Sequence, residues 1–118
     1  GVYGLYTQKG KKAAEISGTA VDVYRGEAIA FRAESGLWGF ADAKGKVVIE
    51  PQYENAKSFS GHMAAVCIDG RWGFVNTDGK LVIDCQYADA GYFNADGVCF
   101  VSMIEGSYFP ITLRFPQK

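Results

Sequence analysis

The chain has 118 residues, of which 48% are hydrophobic and 21% charged, and its formal net charge is −1. This mixture is typical of one globular domain that is long enough to bury a core. With no basic stripe for a phosphate backbone and no apolar run near the ~20 residues that cross a bilayer, we expect no nucleic-acid partner and no membrane span in this fragment.

An aromatic residue recurs at spacings of 35, 34 and 36 residues and starts four similar stretches. These residues are Tyr3, Trp38, Trp72 and Tyr108. In the first three stretches a Gly follows the aromatic residue, and a Gly-Lys pair comes seven residues after it. A fixed period of this length is typical of tandem repeats. We therefore interpret residues 1–118 as a single repeat domain, with units at approximately 1–36, 37–70 and 71–106 and a degenerate C-terminal cap at 107–118.

Three strands are expected in each unit. The apolar stretches AAVCI, RWGFVN and KLVID, between residues 64 and 84, are separated by Asp69-Gly70 and Thr77-Asp78-Gly79, and Asp-Gly is a strong β-hairpin signal. The corresponding turns are Lys9-Gly10, Ser35-Gly36, Lys44-Gly45 and Glu105-Gly106. Residues 26–36 have helical propensity, but their place in the repeat predicts a strand. Residues 18–24 and 54–59 are the two stretches where a helical turn could form.

The predicted fold class is therefore all-β, a tandem array of about three three-stranded antiparallel units of ~35 residues with the cap at its end. One such unit would be marginally stable alone, so neighbouring units must share a core. Two arrangements satisfy this requirement. The units either form a stacked or superhelical array, or they form an open propeller-like or barrel-like structure.

The alternation of side chains along a strand selects the core residues. Predicted to face inward are Trp38, Phe40, Val47, Ile49, Trp72, Phe74, Leu81 and Ile83, with Phe59 and Phe93 closing over them from the loops. The Gly after each aromatic residue (Gly4, Gly39 and Gly73) lies inside a strand, where Gly normally weakens the structure. Either a closely approaching backbone or an aromatic ring over the bare Cα explains it.

The motif Gly-x-Trp-Gly-Phe, then Gly-Lys-x-Val-Ile, Gln-Tyr and Ala-x-x-Phe, resembles the WG repeat, also called the KWG repeat, of bacterial proteins. The similarity is carried by residues 70–74, 79–83, 86–87 and 90–93, and equally by the copy at 36–59. It is weaker over 1–35, where Tyr3 replaces Trp, and it fails over 107–118, where Phe109 replaces Gly and Pro110 stops the pattern. The resemblance implies a β-rich tandem repeat that mediates interactions, and it brings no catalytic residues.

The residues indicate no catalytic, cofactor or metal site, so we do not expect an enzyme. His62, the only imidazole, lies in a turn, and the aspartates lack the spacing of a calcium loop. Cys67, Cys85 and Cys99 have no Cys-x-x-Cys spacing. We interpret them as small buried hydrophobic residues, and one disulfide with a free thiol is the alternative.

Two classes of function fit this chain. The first is a non-catalytic module for protein–protein interaction, in which the loops VYRGEA, SFSGH and YFNADG form a composite surface. The alternative is a binder of cell-surface carbohydrate or of a cell-wall ligand, which would stack sugars or cationic groups on exposed rings. Exposed rings in a groove favour the ligand, whereas buried rings and one broad apolar face favour the protein partner. A secreted or cell-surface location is favoured over the cytoplasm.

Replacing the predicted core residue Trp72 by Ala should lower the free energy of unfolding by ~3–5 kcal/mol, since the change removes a large apolar surface and leaves a cavity. Thermal and urea denaturation of Trp72→Ala beside the unchanged protein measure the loss. An unchanged melting curve would place the ring in solvent.

Overall fold

The computed structural model describes residues 1–6, 9–104 and 107–112, which form thirteen strands and no helix. The strands assemble into four antiparallel sheets. The first sheet holds β1 (Val2–Tyr6) and β2 (Lys12–Ser17); the second holds β3 (Ala20–Val21), β4 (Ile29–Arg32), β5 (Trp38–Ala41) and β6 (Val47–Tyr53); the third holds β7 (Asn55–Ala56), β8 (Met63–Ile68), β9 (Arg71–Asn76) and β10 (Leu81–Tyr87); the fourth holds β11 (Asp89–Ala90), β12 (Val98–Ile104) and β13 (Ser107–Thr112). The all-β prediction is confirmed.

Each of the two middle sheets has four strands, one more than predicted for a unit. The additional strand is the two-residue β3 or β7, which pairs with the edge of β4 or β8. These short strands lie in 18–24 and 54–59, so the helical turn considered there is wrong. Their backbone groups are bonded across the sheet, as in Asp22 N–H to Ala30 O (2.8 Å) and Lys57 N–H to Ala65 O (2.9 Å). Residues 26–36 contain β4, the predicted strand. Among the described residues no helix is available to cross a bilayer.

The turns predicted at Gly36, Gly45, Gly70 and Gly79 each join two antiparallel neighbours within a sheet, and Gly10 lies in the connection from β1 to β2. The turn predicted at Glu105-Gly106 lies outside the described residues. The sheets run over 20–53, 55–87 and 89–112, so each recurring aromatic residue from Trp38 onwards lies in the third strand of its sheet.

Neighbouring sheets pack face to face, a feature that both predicted arrangements share. A separate apolar core fills each of the three spaces between sheets. Ile16 of the first sheet packs with Ile29, Phe31 and Ala41 of the second. Ala30, Phe40, Ile49 and Tyr53 of the second pack with Ala56, Phe59, Ala64, Val66 and Val75 of the third. Met63, Ala65, Cys67, Trp72 and Phe74 of the third pack with Ala90, Phe93, Cys99 and Val101 of the fourth.

The inner sheets are therefore buried on both faces. In β8, Ala64 and Val66 contact the second sheet, while Ala65 and Cys67 contact the fourth. This two-sided burial explains why MAAVCI is an uninterrupted apolar run instead of an alternating one.

The predicted core is largely confirmed. Phe40, Phe59, Phe74 and Phe93 are each at most 1% exposed, and Trp72 is buried. The rings form two equivalent edge-to-face pairs, Phe40 with Phe59 at 4.8 Å and Phe74 with Phe93 at 4.9 Å between centroids. Each loop Phe thus closes over the strand Phe of its own repeat, as expected.

Two predicted core residues, Val47 and Leu81, are instead exposed. Both start the outermost strand of their sheet, and the pairing register shifts immediately after them. Leu81 pairs with Val75 but Ile83 pairs with Phe74, so two residues of β10 advance against one of β9. Such a bulge breaks the simple alternation on which the prediction rested.

The repeated Gly of the Trp-Gly-Phe motif allows a close backbone approach. A Cβ on Gly73 would lie 2.5 Å from Ile83 O and 2.7 Å from Cys85 N, and one on Gly39 would lie 2.6 Å from Ile49 O. The bulged outer strand crosses directly over the bare Cα, so of the two explanations the backbone approach applies to these two copies. At Gly4 the nearest atoms belong to the ring of Tyr6 instead.

The last sheet ends in a strand that departs from this pattern. β13, the edge strand of this sheet, lies in the predicted cap at 107–118, of which residues 113–118 lie outside the described residues. In register, Phe109 stands where Gly39 and Gly73 stand, and Pro110 stands where Phe40 and Phe74 stand. The Phe109 side chain takes the place that a crossing fourth strand needs, and Pro110 lacks a backbone donor, so this edge is closed to the bulged pairing of the other sheets.

Polar bonds near the loops connect three sheets. Asp22 Oδ2 accepts the hydroxyl of Tyr92 (2.6 Å) and the Ser58 N–H (2.8 Å), and Ser58 Oγ accepts the Ala30 N–H (2.9 Å). Burial and the hydrogen bond to Asp22 raise the pKa of Tyr92. The neutral hydroxyl, which donates to Asp22, is therefore favoured over the phenolate.

A second polar contact joins the third and fourth sheets. Lys57 Nζ lies 3.6 Å from Asp89 Oδ1, and Tyr108 donates its hydroxyl to Asp89 Oδ2 at 2.6 Å. Burial raises the pKa of Asp89, but the bond from Tyr108 and the charge of Lys57 outweigh it, so the pKa of this carboxyl lies below its usual value.

Replacing Gly73 by Ala should destabilise the protein by about 1–3 kcal/mol, because the new methyl group meets the β10 backbone and not a flexible side chain. Gly91→Ala is the matched control, since its Cβ would meet only Phe100 O at 3.5 Å. Urea unfolding of both variants checks this. Equal midpoints for the two would contradict the close approach.

Acid should weaken the contact at Asp89. A carboxyl whose folded pKa is depressed contributes stability above its unfolded pKa and loses that contribution as pH falls through the folded pKa. Because Asp89 is partly exposed, we expect the contribution to be below about 1 kcal/mol. Asp89→Asn should therefore show a smaller drop in melting temperature from pH 7 to pH 3 than the unchanged chain, and the exposed Asp84→Asn should not. Equal drops in all three proteins would be evidence against the contact.

Candidate functional site

The only imidazole lies in an exposed turn, as predicted. His62 has a positive φ of 67°, and its backbone N–H lies 3.2 Å from both carboxylate oxygens of Glu27. Its Nδ1 lies 3.3 Å from Glu27 Oε1. No described serine lies close enough to make a hydrogen bond to its ring, and the part of the chain that the structure describes contains no cluster of His, Cys, Asp and Glu suited to a metal ion.

The three cysteines are unpaired thiols. Cys67 and Cys99 are buried and Cys85 is half-buried, in agreement with their interpretation as small hydrophobic residues. Burial raises the pKa of all three thiols. The arrangement is that of core packing and not that of an activated thiolate.

The aromatic rings are mostly unavailable to a ligand. Tyr53 and Trp72 are buried, Trp38 and Tyr87 are half-buried, and the ring of Tyr92 is covered by the Arg25 guanidinium 4.3 Å from its centroid. Tyr6 is instead 64% exposed. With the exposed Tyr24, it lines an open apolar groove of about 320 Å³ whose other walls are Gly4, Leu5, Ala13 and Ala43.

Apolar side chains are exposed on one side of the fourth sheet. Cys99, Val101 and Ile111 of β12 and β13 pack against the third sheet, so the alternating residues Phe100, Tyr108 and Pro110 point away from it. We call these three residues the outer face. Phe100 is 57% and Tyr108 52% exposed.

The register shows what the outer face corresponds to in the other sheets. Phe100 pairs with Pro110 as Ala30 pairs with Phe40 and as Ala65 pairs with Phe74. In the second and third sheets those Ala and Phe residues are buried by the sheet that follows. The outer face is therefore the same surface of the repeat, left uncovered by the residues that the structure describes and enlarged from Ala to Phe.

A second concave site lies where three equivalent loops meet. The loops connect the short strand to the first long strand in the second, third and fourth sheets, and they include the stretches predicted to form a composite surface. Between them is a cavity of about 560 Å³, which we call the notch. It is lined by Arg25, Glu27, Ser60, Gly61, His62 and residues 94–97.

The outer face and the notch could be predicted from the sequence only if the pairing register of the strands were known. The loops were singled out by their variation, but nothing in their residues shows that they converge. The outer face depends on a single position, Phe100, whose pairing with Pro110 places it opposite the buried side of the sheet.

The comparisons agree with the internal repeat. The family described as WG containing repeat matches twice in tandem, at residues 38–72 and 72–106, which together cover more than half of the chain. Neither a curated protein nor a solved structure matches the chain. Both matched segments begin at the Trp whose following Gly admits the crossing strand, and this chain belongs to the family of WG containing repeats.

Proposed function

We propose that this chain is a non-catalytic module of a bacterial protein that binds another protein through the outer face of its fourth sheet. The observation that supports the proposal most directly is the exposure of Phe100, at 57%, in a position where Ala30 and Ala65 are buried. Contiguous exposed apolar surface on a globular protein typically marks an interaction site.

The chemistry of the outer face favours a polypeptide over a sugar. Phe100, Tyr108 and Pro110 present a mainly apolar patch, and the Asp89 carboxylate at its edge accepts the hydroxyl of Tyr108. Sugars need several polar partners around a ring, whereas a protein partner gains stability by burying apolar area. Aromatic residues such as Phe100 and Tyr108 are the side chains that dominate binding energy at protein interfaces.

The edge of the fourth sheet beside β13 favours a partner that binds the outer face over a partner that adds a strand to the sheet. Phe109 and Pro110 obstruct the fourth-strand position beside β13, so a partner is not expected to extend the sheet as β6 and β10 do. The partner would instead lie flat on the sheet, in the place that the following sheet occupies in the preceding repeats.

A carbohydrate or cell-wall ligand is the second candidate, and one observation favours it. The rings of Tyr6 and Tyr24 are 64% and 52% exposed and line the same open groove. Exposed rings of this kind can stack on a sugar or on a cationic headgroup.

The protein-binding proposal predicts where a partner touches the chain. A photo-crosslinking amino acid placed at Phe100 should form adducts with protein from a cell extract, and Phe100→Asp should abolish adducts from a second probe at Tyr108 on the same face. Val82 is the matched control, because it is an apolar strand residue of comparable exposure on another sheet. Equal labelling from positions 100 and 82 would show non-specific contact and would contradict the proposal.

The carbohydrate candidate predicts binding on a glycan and cell-wall fragment array. Tyr6→Ala and Tyr24→Ala should each lower such binding at least about tenfold, because each removes one stacking platform. Phe100→Asp should leave it unchanged. Glycan binding that depends on Phe100 but not on the two tyrosines would reject this assignment of the groove.

A further inference from the structure

We propose that the notch is a binding site for a small zwitterionic ligand of the amino-acid or short-peptide class, with its carboxylate at Arg25 and its ammonium group at Asp96. The notch is separate from the outer face and adds a second binding activity to the proposed function. Its residues come from three sheets, so the site exists only when the repeats are stacked.

The shape of the notch follows from the lengths of three loops. The middle connection, 57–62, has six residues, whereas its neighbours 22–28 and 91–97 have seven each. Ser60 and Met63 bond to each other across a tight turn formed by Gly61 and His62, both with positive φ. The short middle loop is the floor, and the longer loops on either side are the walls.

The floor is fixed by contacts that tolerate little change. Ser60 Oγ donates to Phe93 O at 2.7 Å, and a Cβ on Gly61 would lie 2.9 Å from Asn94 O. Glu27 holds the turn from the other side through the His62 N–H. A site held in this way is organised before a ligand arrives, which lowers the entropic cost of binding.

Arg25 is oriented for an anion. Its guanidinium lies over the ring of Tyr92, and the hydroxyl of that ring is bound to Asp22. Among the described residues no carboxylate lies within ion-pair distance of Arg25. Stacking uses the flat face of the guanidinium and leaves its N–H groups at the rim, where they can bind a carboxylate with two parallel hydrogen bonds.

Asp96 provides the opposite charge on the other wall. Its backbone N–H is bonded to Asn94 Oδ1, which fixes the turn, while its carboxylate has no partner among the described residues. Glu27 is already engaged by the His62 N–H, so Asp96 is the carboxylate that remains for an ammonium group. One cation and one available anion in the lining of the same cavity suit a ligand that carries both charges.

The size and polarity of the notch agree with this class. Its volume of about 560 Å³ is within the range of small-molecule sites. Its lining residues include no Phe, Tyr, Trp or long aliphatic side chain, so an apolar ligand would gain little there. A sugar would find no Tyr or Trp ring to stack on, since the nearby Tyr92 is covered by Arg25.

The test is an NMR titration of the ¹⁵N-labelled chain with triglycine, with free glycine as a second arm that separates a peptide from an amino acid. We expect saturable amide shifts at 25–27, 60–62 and 94–97. Acetylating the amino terminus or amidating the carboxyl terminus of triglycine should each weaken binding at least about tenfold, since each removes one charge.

Substitutions of Arg25 and Asp96 test whether these two residues bind the charged ends of the ligand. Arg25→Gln and Asp96→Asn should each weaken triglycine binding at least about tenfold. Arg71→Gln, an exposed arginine beside the turn at residues 69–70, should not. The proposal is overturned if no saturable shift occurs up to about 20 mM ligand, if the capped analogues bind as well as triglycine, or if Arg71→Gln weakens binding equally. Phe100→Asp changes the outer face and leaves the notch intact. The proposal for the notch and the proposal for the outer face can therefore be tested independently.

Discussion

Face-to-face packing of small sheets is the constraint on which the structure depends. Each sheet of two to four strands is too small to be stable alone, and three apolar cores between the sheets supply what each lacks. Because the second and third sheets are covered on both sides, their central strands carry apolar residues at consecutive positions. Small residues such as Ala30 and Ala65 on one side leave room for the phenylalanine rings of the next repeat.

The Trp-Gly-Phe signature follows from the same packing. Phe40 and Phe74 fill the cores, and the Gly before each of them lets a bulged outer strand cross the sheet at backbone distance. The residues that define the family motif therefore stabilise the fold. The groups that we propose for binding lie at other positions, in the loops around Arg25 and Asp96 and on the outer face of the fourth sheet.

Much of this fold could be predicted from one sequence, because an internal repeat supplies several aligned examples of each strand and turn. The rings of Phe59 and Phe93 were placed correctly, since both recur at the same distance from a Trp. The side chains of Val47 and Leu81 were placed in the core incorrectly. A bulge changes the face of the sheet on which a residue lies without changing the apolar pattern of the sequence.

The candidate sites were less predictable for a related reason. The notch depends on a difference of one residue between loops that meet only after the sheets have stacked. The outer face depends on the pairing of Phe100 with Pro110, and the sequence pattern alone does not fix that register. Both features concern relations between repeats, whereas sequence patterns describe one repeat at a time.

The side chain of Phe109 and the ring of Pro110 also affect which units of the array can be duplicated to extend it. A unit duplicated within the stretch that contains Gly39 and Gly73 inherits the bare Cα that its last strand must cross, and it can join the stack without further change. A copy derived from the final sheet inherits the obstruction instead. Gene duplication is therefore expected to lengthen such an array by copying the units that carry this Gly.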